Sequence, residues 1–263
     1  MDNSKSEMVD TNWRSLYKVG GVGALIIAVM YLLAMVIYIP ANLAGPPPST
    51  VLEWFTLFQN DRLMALFFLG FADIIIMICT GPMFLALYAV LRRTNRTWIV
   101  IATSFAFVGM AVYLATNAVF SMLTLSDQYA AATTEAQKSI FLAAGQATIA
   151  MVEGTGGRYM GLPLVWISSL IVSVVMLQSK VFSKATAYVG IVGFALLAAS
   201  IPFATYTTTG ESTAAVAAII FVTYFGGGLL TLAWYILVGV RLLRLVRLDG
   251  GPTPNQQYQG RTE

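Results

Sequence analysis

Six runs of apolar residues, each long enough to cross a bilayer, decide what this chain can fold into. A helix rises 1.5 Å per residue, so about 20 apolar residues span the roughly 30 Å hydrocarbon core. The runs cover 19–39, 63–91, 98–125, 159–178, 188–206 and 214–240. In hydrocarbon every backbone amide must be bonded within the protein, which leaves only helices and closed barrels. Runs of this length predict an all-α, polytopic membrane protein with six transmembrane helices. The second run is long enough to tilt or protrude, and Pro202 interrupts the fifth near its end.

Composition excludes several classes. Only 10% of residues are charged and 58% are apolar, against about 25% charged in soluble domains. There are too few charges to cover a soluble enzyme. A net charge of +3, with cations at the ends of apolar runs, is not a nucleic-acid footprint. The chain has 0 histidines, which removes the usual zinc hydrolases, haem proteins and imidazole relays. The single cysteine, Cys79, has no partner for an internal disulfide.

Lysine and arginine predict the orientation. With six spans, one side holds Lys5, Arg14, Lys18, Arg92, Arg93, Arg96, Lys180, Lys184, Arg241, Arg244, Arg247 and Arg261, and the other holds Arg62, Lys138 and Arg158, a split of 12 against 3. Both termini are therefore expected to be cytoplasmic, in a multi-pass protein of the cell membrane. Tyr17, Trp98, Tyr159, Tyr188 and Tyr206 fall near predicted ends, where amphipathic rings favour the headgroup layer. The first apolar run exceeds a signal-peptide core and reads as a retained span. The expected organisation is a tail over 1–16, a transmembrane domain over 17–248 and a disordered tail over 249–263.

Two long connections lie on the sparsely charged side. The first, 40–62, holds Pro46, Pro47 and Pro48, then a capping-box pattern of Ser49 or Thr50 with Glu53. Its Leu52, Trp54, Phe55, Leu57 and Phe58 suggest a helix lying on the membrane. The second, 126–158, holds an apolar stretch at 140–152 that reads as interfacial or re-entrant.

The hairpin ALYAVLRRTNRTWIVIATSFAFVGMA (86–111) and the stretch VVMLQSKVFSKATAYVGIVGFALLA (174–198) share a pattern. Each has a leucine-bearing helix end, a basic turn and a Gly/Ala-rich returning helix. With six spans and a long third connection, the chain resembles an uncharacterised six-helix bacterial and archaeal membrane family, catalogued as a domain of unknown function (number 4386). The family pattern of Ser, an aromatic-aliphatic pair and Pro-Arg after the fourth span is replaced here by Ser179, Lys180, Val181, Phe182, Ser183 and Lys184. The resemblance implies a fold and a bacterial inner membrane, and no reaction.

Asp73 is the residue most able to carry chemistry. It lies ten residues into the second run, about 15 Å deep, where an ionised carboxylate costs at least about 2.5–3.5 kcal/mol. Gly70, Asp73, Met77, Thr80, Gly81 and Tyr88 share one helical face. The third run offers Thr103, Gly109, Tyr113, Asn117, Ser121 and Thr124. Thr223, Gly227, Thr231 and Trp234 lie on the sixth run, and Ser169 and Ser173 on the fourth. The candidate polar pocket is Asp73, Thr80, Tyr113, Asn117 and Thr231. No basic residue lies within the spans, so Asp73 is expected to rest protonated. Its two readings are a protonatable or cation-binding group, and interhelical glue, which averages about 0.6 kcal/mol per bond.

Glu153 and Arg158 flank Gly154, Thr155, Gly156 and Gly157, read here as a flexible turn rather than an anion nest. Gly226, Gly227 and Gly228 read as a packing point. Catalytic parts are missing: one deep carboxylate cannot form an aspartyl dyad or an oxygen metal cage, and a serine there has no base. No enzyme, cofactor or metal is expected. The expected partners are the bilayer, anionic lipid at the basic loops, and a protein bound through the external segments. The sequence puts a non-catalytic accessory, assembly or sensory role first. A small-solute or proton-coupled transporter built on Asp73 is the alternative, against which stand the absence of a clear repeat and few obvious broken helices.

Overall fold

The computed structural model describes residues 13–44, 48–154, 157–208, 219 and 221–248. Both tails, Pro46, Pro47, Thr155, Gly156, the side chains of Glu153 and Arg158, and the expected start of the sixth run at 214–218 lie outside the described residues or side chains. The described residues form helices and no strand. In order these are α1 (Arg14–Ala44), α2 (Val51–Asn60), α3 (Arg62–Phe68), α4 (Phe71–Leu91), α5 (Arg96–Thr116), α6 (Val119–Ala131) and α7 (Glu135–Gly154). A π-helical turn, Gly157–Gly161, leads into α8 (Leu162–Gln178). Then come α9 (Lys184–Thr208), a second π-helical turn, Phe221–Phe225, and a last helix, α10 (Gly226–Leu248).

Six segments are long and apolar enough to cross a membrane: Arg14–Tyr38, Phe71–Leu91, Arg96–Ala131, Tyr159–Gln178, Lys184–Ile201 and Val222–Arg247. The second begins eight residues later than expected (71 against 63), because the helix breaks at Gly70. The third is kinked open between α5 and α6, at Asn117 and Ala118. The fifth is not interrupted, since α9 runs through Pro202. The sixth reaches Arg247 rather than 240, because Arg241, Arg244 and Arg247 sit on α10 itself.

The spans form a ring in chain order. Each packs on the next, α1 on α4, α4 on α5, α5 on α8, α8 on α9 and α9 on α10, and α10 closes on α1. Glycines set the close approaches. A β-carbon at Gly23 would stand 3.0 Å from the Cys79 carbonyl of α4, and one at Gly21 would stand 3.1 Å from the Gly239 carbonyl of α10. One stretch of α1 thus seats two neighbours, as small residues allow in bilayers. The interior is aromatic. Trp234 and Phe194 meet edge to face at 5.1 Å, and Tyr31 lies 5.6 Å from Tyr235. The loops Arg92–Asn95 and Ser179–Ser183 share one end of the ring, the basic end. There Arg241 Nε donates to the Val181 carbonyl at 2.6 Å, and the Arg92 guanidinium lies 5.0 Å from the centre of the Trp13 ring.

The opposite end carries a second core. Val51, Trp54, Phe55 and Phe58 of α2 pack with Ala65 of α3, Met122 of α6 and Ile149 of α7. Here α2 departs from expectation. Its aromatic face is buried against protein rather than laid on the membrane, and Leu52 alone among its large apolar residues is strongly exposed. The stretch 140–152 belongs to α7 and closes this cap, with Gly145 where a β-carbon would strike Val51 at 2.5 Å and Phe55 at 2.9 Å. The Ser126 hydroxyl of α6 donates to the Phe55 carbonyl at 3.1 Å. An exposed ion pair, Arg62 with Asp127, ties α3 to α6.

The capping box of α2 is present. The Thr50 hydroxyl accepts from the Glu53 N–H at 3.3 Å, and the Glu53 carboxylate accepts from the N–H groups of Ser49 at 2.7 Å and Thr50 at 3.2 Å. These bonds hold the Glu53 carboxyl below its ordinary range, backbone donors first. Its contribution to the cap is present above the unfolded-state value and is lost as pH falls through the lower folded one. Amide protection factors at the start of α2 should therefore fall at acid pH, and Glu53→Gln should flatten that response.

Because the cap has its own core, Phe55→Ala should cost about 3–5 kcal/mol locally. Hydrogen exchange should rise in α2, α6 and α7 and stay unchanged in α1 and α10. Uniform loosening of both regions would mean a single cooperative unit.

Candidate functional site

The two helix breaks lie side by side at the cap end of the ring. In the first, Gly70 takes φ 93° and ψ 30°, a left-handed conformation that only glycine adopts cheaply. Among the described residues it is the one glycine with positive φ. The break leaves α3 carbonyls without helical partners. The Gly70 N–H takes the Phe67 carbonyl at 3.0 Å, and the Tyr38 hydroxyl of α1 donates to the same oxygen at 2.6 Å. In the second break, the Asn117 side-chain oxygen accepts from the Val119 N–H at 3.1 Å and so starts α6.

Asp73 stands in the first turn of α4, the third residue after the break. Its position corrects the expected depth. Counting from residue 63 assumed one unbroken helix, but α3 belongs to the cap, so Asp73 sits at the cap end of a 21-residue span. There the unpaired N–H groups and the helix dipole favour a negative charge. The Tyr113 hydroxyl of α5 donates to Asp73 Oδ2 at 2.7 Å. Asn117 completes the cluster from the second break. A β-carbon at Gly70 would lie 2.9 Å from the Tyr113 hydroxyl, 3.1 Å from Asp73 Oδ2 and 3.6 Å from Asn117 Nδ2. Asp73 and Asn117 are half-buried and Tyr113 is buried. Asp73 has a phenol as its hydrogen-bond donor and stands in the first turn of a helix.

The structure brings together Asp73, Tyr113 and Asn117, and leaves Thr80 and Thr231 apart. The buried Thr80 hydroxyl donates to the Ile76 carbonyl at 2.7 Å, and the Thr231 hydroxyl donates to the Gly228 carbonyl at 3.0 Å, against Gly193 of α9. Ser169 and Ser173 likewise bond their own helix. The expected polar face of the third run ends at its break, beyond which Ser121 and Thr124 are exposed. Sequence reasoning missed Tyr38 and the role of Gly70. It also missed Tyr31, which lies within electrostatic reach of Asp73 from the ring interior, beside Trp166 and Tyr235. Among the described residues no group of three metal-ligating side chains converges. Chemically, the cluster can hold a proton or a cation on one carboxylate, with a phenol and an amide as further ligands.

A model of the family described as a domain of unknown function (DUF4386) matches residues 19–244. No curated protein and no solved structure matches the chain.

Gly70→Ala should cost about 1–2 kcal/mol from backbone conformation alone, and its methyl group would press on the Tyr113–Asp73 bond. Thermal unfolding in detergent should show a lower midpoint for Gly70→Ala than for Gly81→Ala, whose β-carbon would meet nothing closer than 3.9 Å.

Proposed function

The chain belongs to the DUF4386 family, and we propose that it is a small proton- or cation-coupled carrier of a small solute, with Asp73 as the group that takes and releases the ion. The observation behind this reading is that two helix breaks, at Gly70 on the cap edge of one span and at Asn117 within another, lie side by side at one carboxylate. Discontinuous helices around a binding residue are the recurring device of secondary transporters. Charged, Asp73 accepts from Tyr113 and faces the start of α4. Once a proton or cation neutralises it, the hold on the Tyr113 hydroxyl weakens and the Gly70 hinge is freer to turn. The cap then shifts against the ring. No catalysed reaction enters this reading.

A non-catalytic accessory role is the second reading. It is favoured by the compact cap, whose exposed Phe120, Ile140 and Met151 offer contact surface to a partner.

Asp73→Asn separates the two. In vesicles carrying a pH gradient and an internal pH dye, the wild-type chain should move protons and the variant should not, with unfolding midpoints alike. If Asp73→Asn left every pH-dependent property unchanged, the carrier reading would fall and the accessory one would stand.

The orientation proposed from the charge split places the basic end and both termini in the cytoplasm and the cap outside, in the cell's inner membrane. In a Cys79→Ala background, an impermeant maleimide applied to intact cells should label Ala143→Cys and spare Lys184→Cys. The reverse pattern would invert the topology.

A further inference from the structure

On the outer flank of the ring an open groove of about 720 Å³ runs between α1 and α5, with α4 as its floor. Its size falls within the roughly 300–1,000 Å³ of small-molecule sites. Val19, Ile78, Pro82, Leu85, Phe107 and Leu114 line it, and its surface is almost wholly apolar. Gly81 and Pro82 lie in its floor, and a β-carbon at Gly81 would meet nothing closer than 3.9 Å. The groove starts at the basic end, at Ser15, and extends toward the cap end as far as Met77 and Leu114.

Cations gather at that start. On α5, Arg96, Val100, Ser104, Phe107, Ala111 and Leu114 follow steps of four and three, so Arg96 lies on the helical face that lines the groove. On α4 the same count carries Leu85 through Ala89 to Arg92. Stacking of Arg92 on Trp13 sets it beside the start of α1. On α1, Lys18 is exposed and lies one turn from Ser15. The charge rule for loops explains which side these residues occupy. Arg92 and Arg96 continue, toward the basic end, the faces of α4 and α5 that line the groove, and Lys18 lies one turn from its α1 edge.

We propose that the groove is a specific site for one anionic phospholipid of the leaflet at the basic end. An acyl chain lies along Pro82 and Phe107, and the phosphate sits among Lys18, Arg92 and Arg96. Charge complementarity selects the headgroup, since each cation near an anionic surface contributes on the order of a fivefold preference. This site is independent of the Asp73 reading.

The test is native mass spectrometry of the full chain after reconstitution in vesicles of equal phosphatidylglycerol and phosphatidylcholine. The wild type should retain one phosphatidylglycerol in preference to phosphatidylcholine. Lys18→Ala with Arg96→Ala should lower that preference roughly fivefold per cation. Ala111→Phe fills the groove from an exposed position and should release the lipid with every cation in place. Equal retention of both lipids, which marks ordinary annular lipid, would overturn the proposal. So would retention untouched by Ala111→Phe, or a lipid-free dimer, which would give the groove to a second copy of the chain.

Discussion

A backbone amide in hydrocarbon has no water to turn to, so a helix can stop inside the membrane only where other protein groups take over its bonds. This constraint organises the whole structure. Most of the chain meets it by not stopping. Among the described residues, two helix breaks, at Gly70 and Asn117, lie at the cap end of the spans, and there a neighbouring hydroxyl donates or a local amide accepts in place of the missing turn. Tyr38, from a different helix, is as much a part of the first break as Gly70. Such local repair must be held by tertiary packing, which explains why both breaks abut the cap rather than the ring's middle.

The cap and the ring solve different problems. The ring has no hydrophobic drive between its helices, because lipid is as apolar as they are, and it relies on close packing at small residues. Gly21 against Gly239 is one such contact. The cap, with Phe55 and Phe58 fully enclosed, resembles a small soluble core in which apolar burial stabilises directly. Asp73 lies at the seam between the two. A carboxylate there can respond to charge in the aqueous layer while touching helices that cross the bilayer.

Much of this was legible in the residues. Six apolar runs predict six spans, and the Thr50–Glu53 box predicts the start of α2. Asp73, Tyr113 and Asn117 could be named from helical spacing and polarity. The breaks could not. Hydropathy runs on through Leu69, Gly70 and Phe71, and a glycine in a span usually means packing. The left-handed turn depends on Tyr38 and Tyr113 arriving from elsewhere, which no local pattern records. A usable signal does exist: Asp61 caps α3 with its side chain on the Met64 N–H at 3.0 Å, so a helix start stands nine residues before Phe71 begins another (62 to 71). Thr80 and Thr231 misled for a simpler reason. A buried hydroxyl in a span can satisfy itself on its own helix, and both do. The faces of α2 misled because an amphipathic helix looks the same whether a membrane or α7 covers it.

The closure of α10 on α1 bears on how the chain is made. During synthesis α1 finds one neighbour, α4, within the next few dozen residues, but its glycine face for α10 waits until α10 itself has been made. Until then Gly21 borders lipid or the insertion machinery. A chain cut short anywhere before Gly239 therefore leaves α1 half-seated, with one of its two glycine contacts unmade.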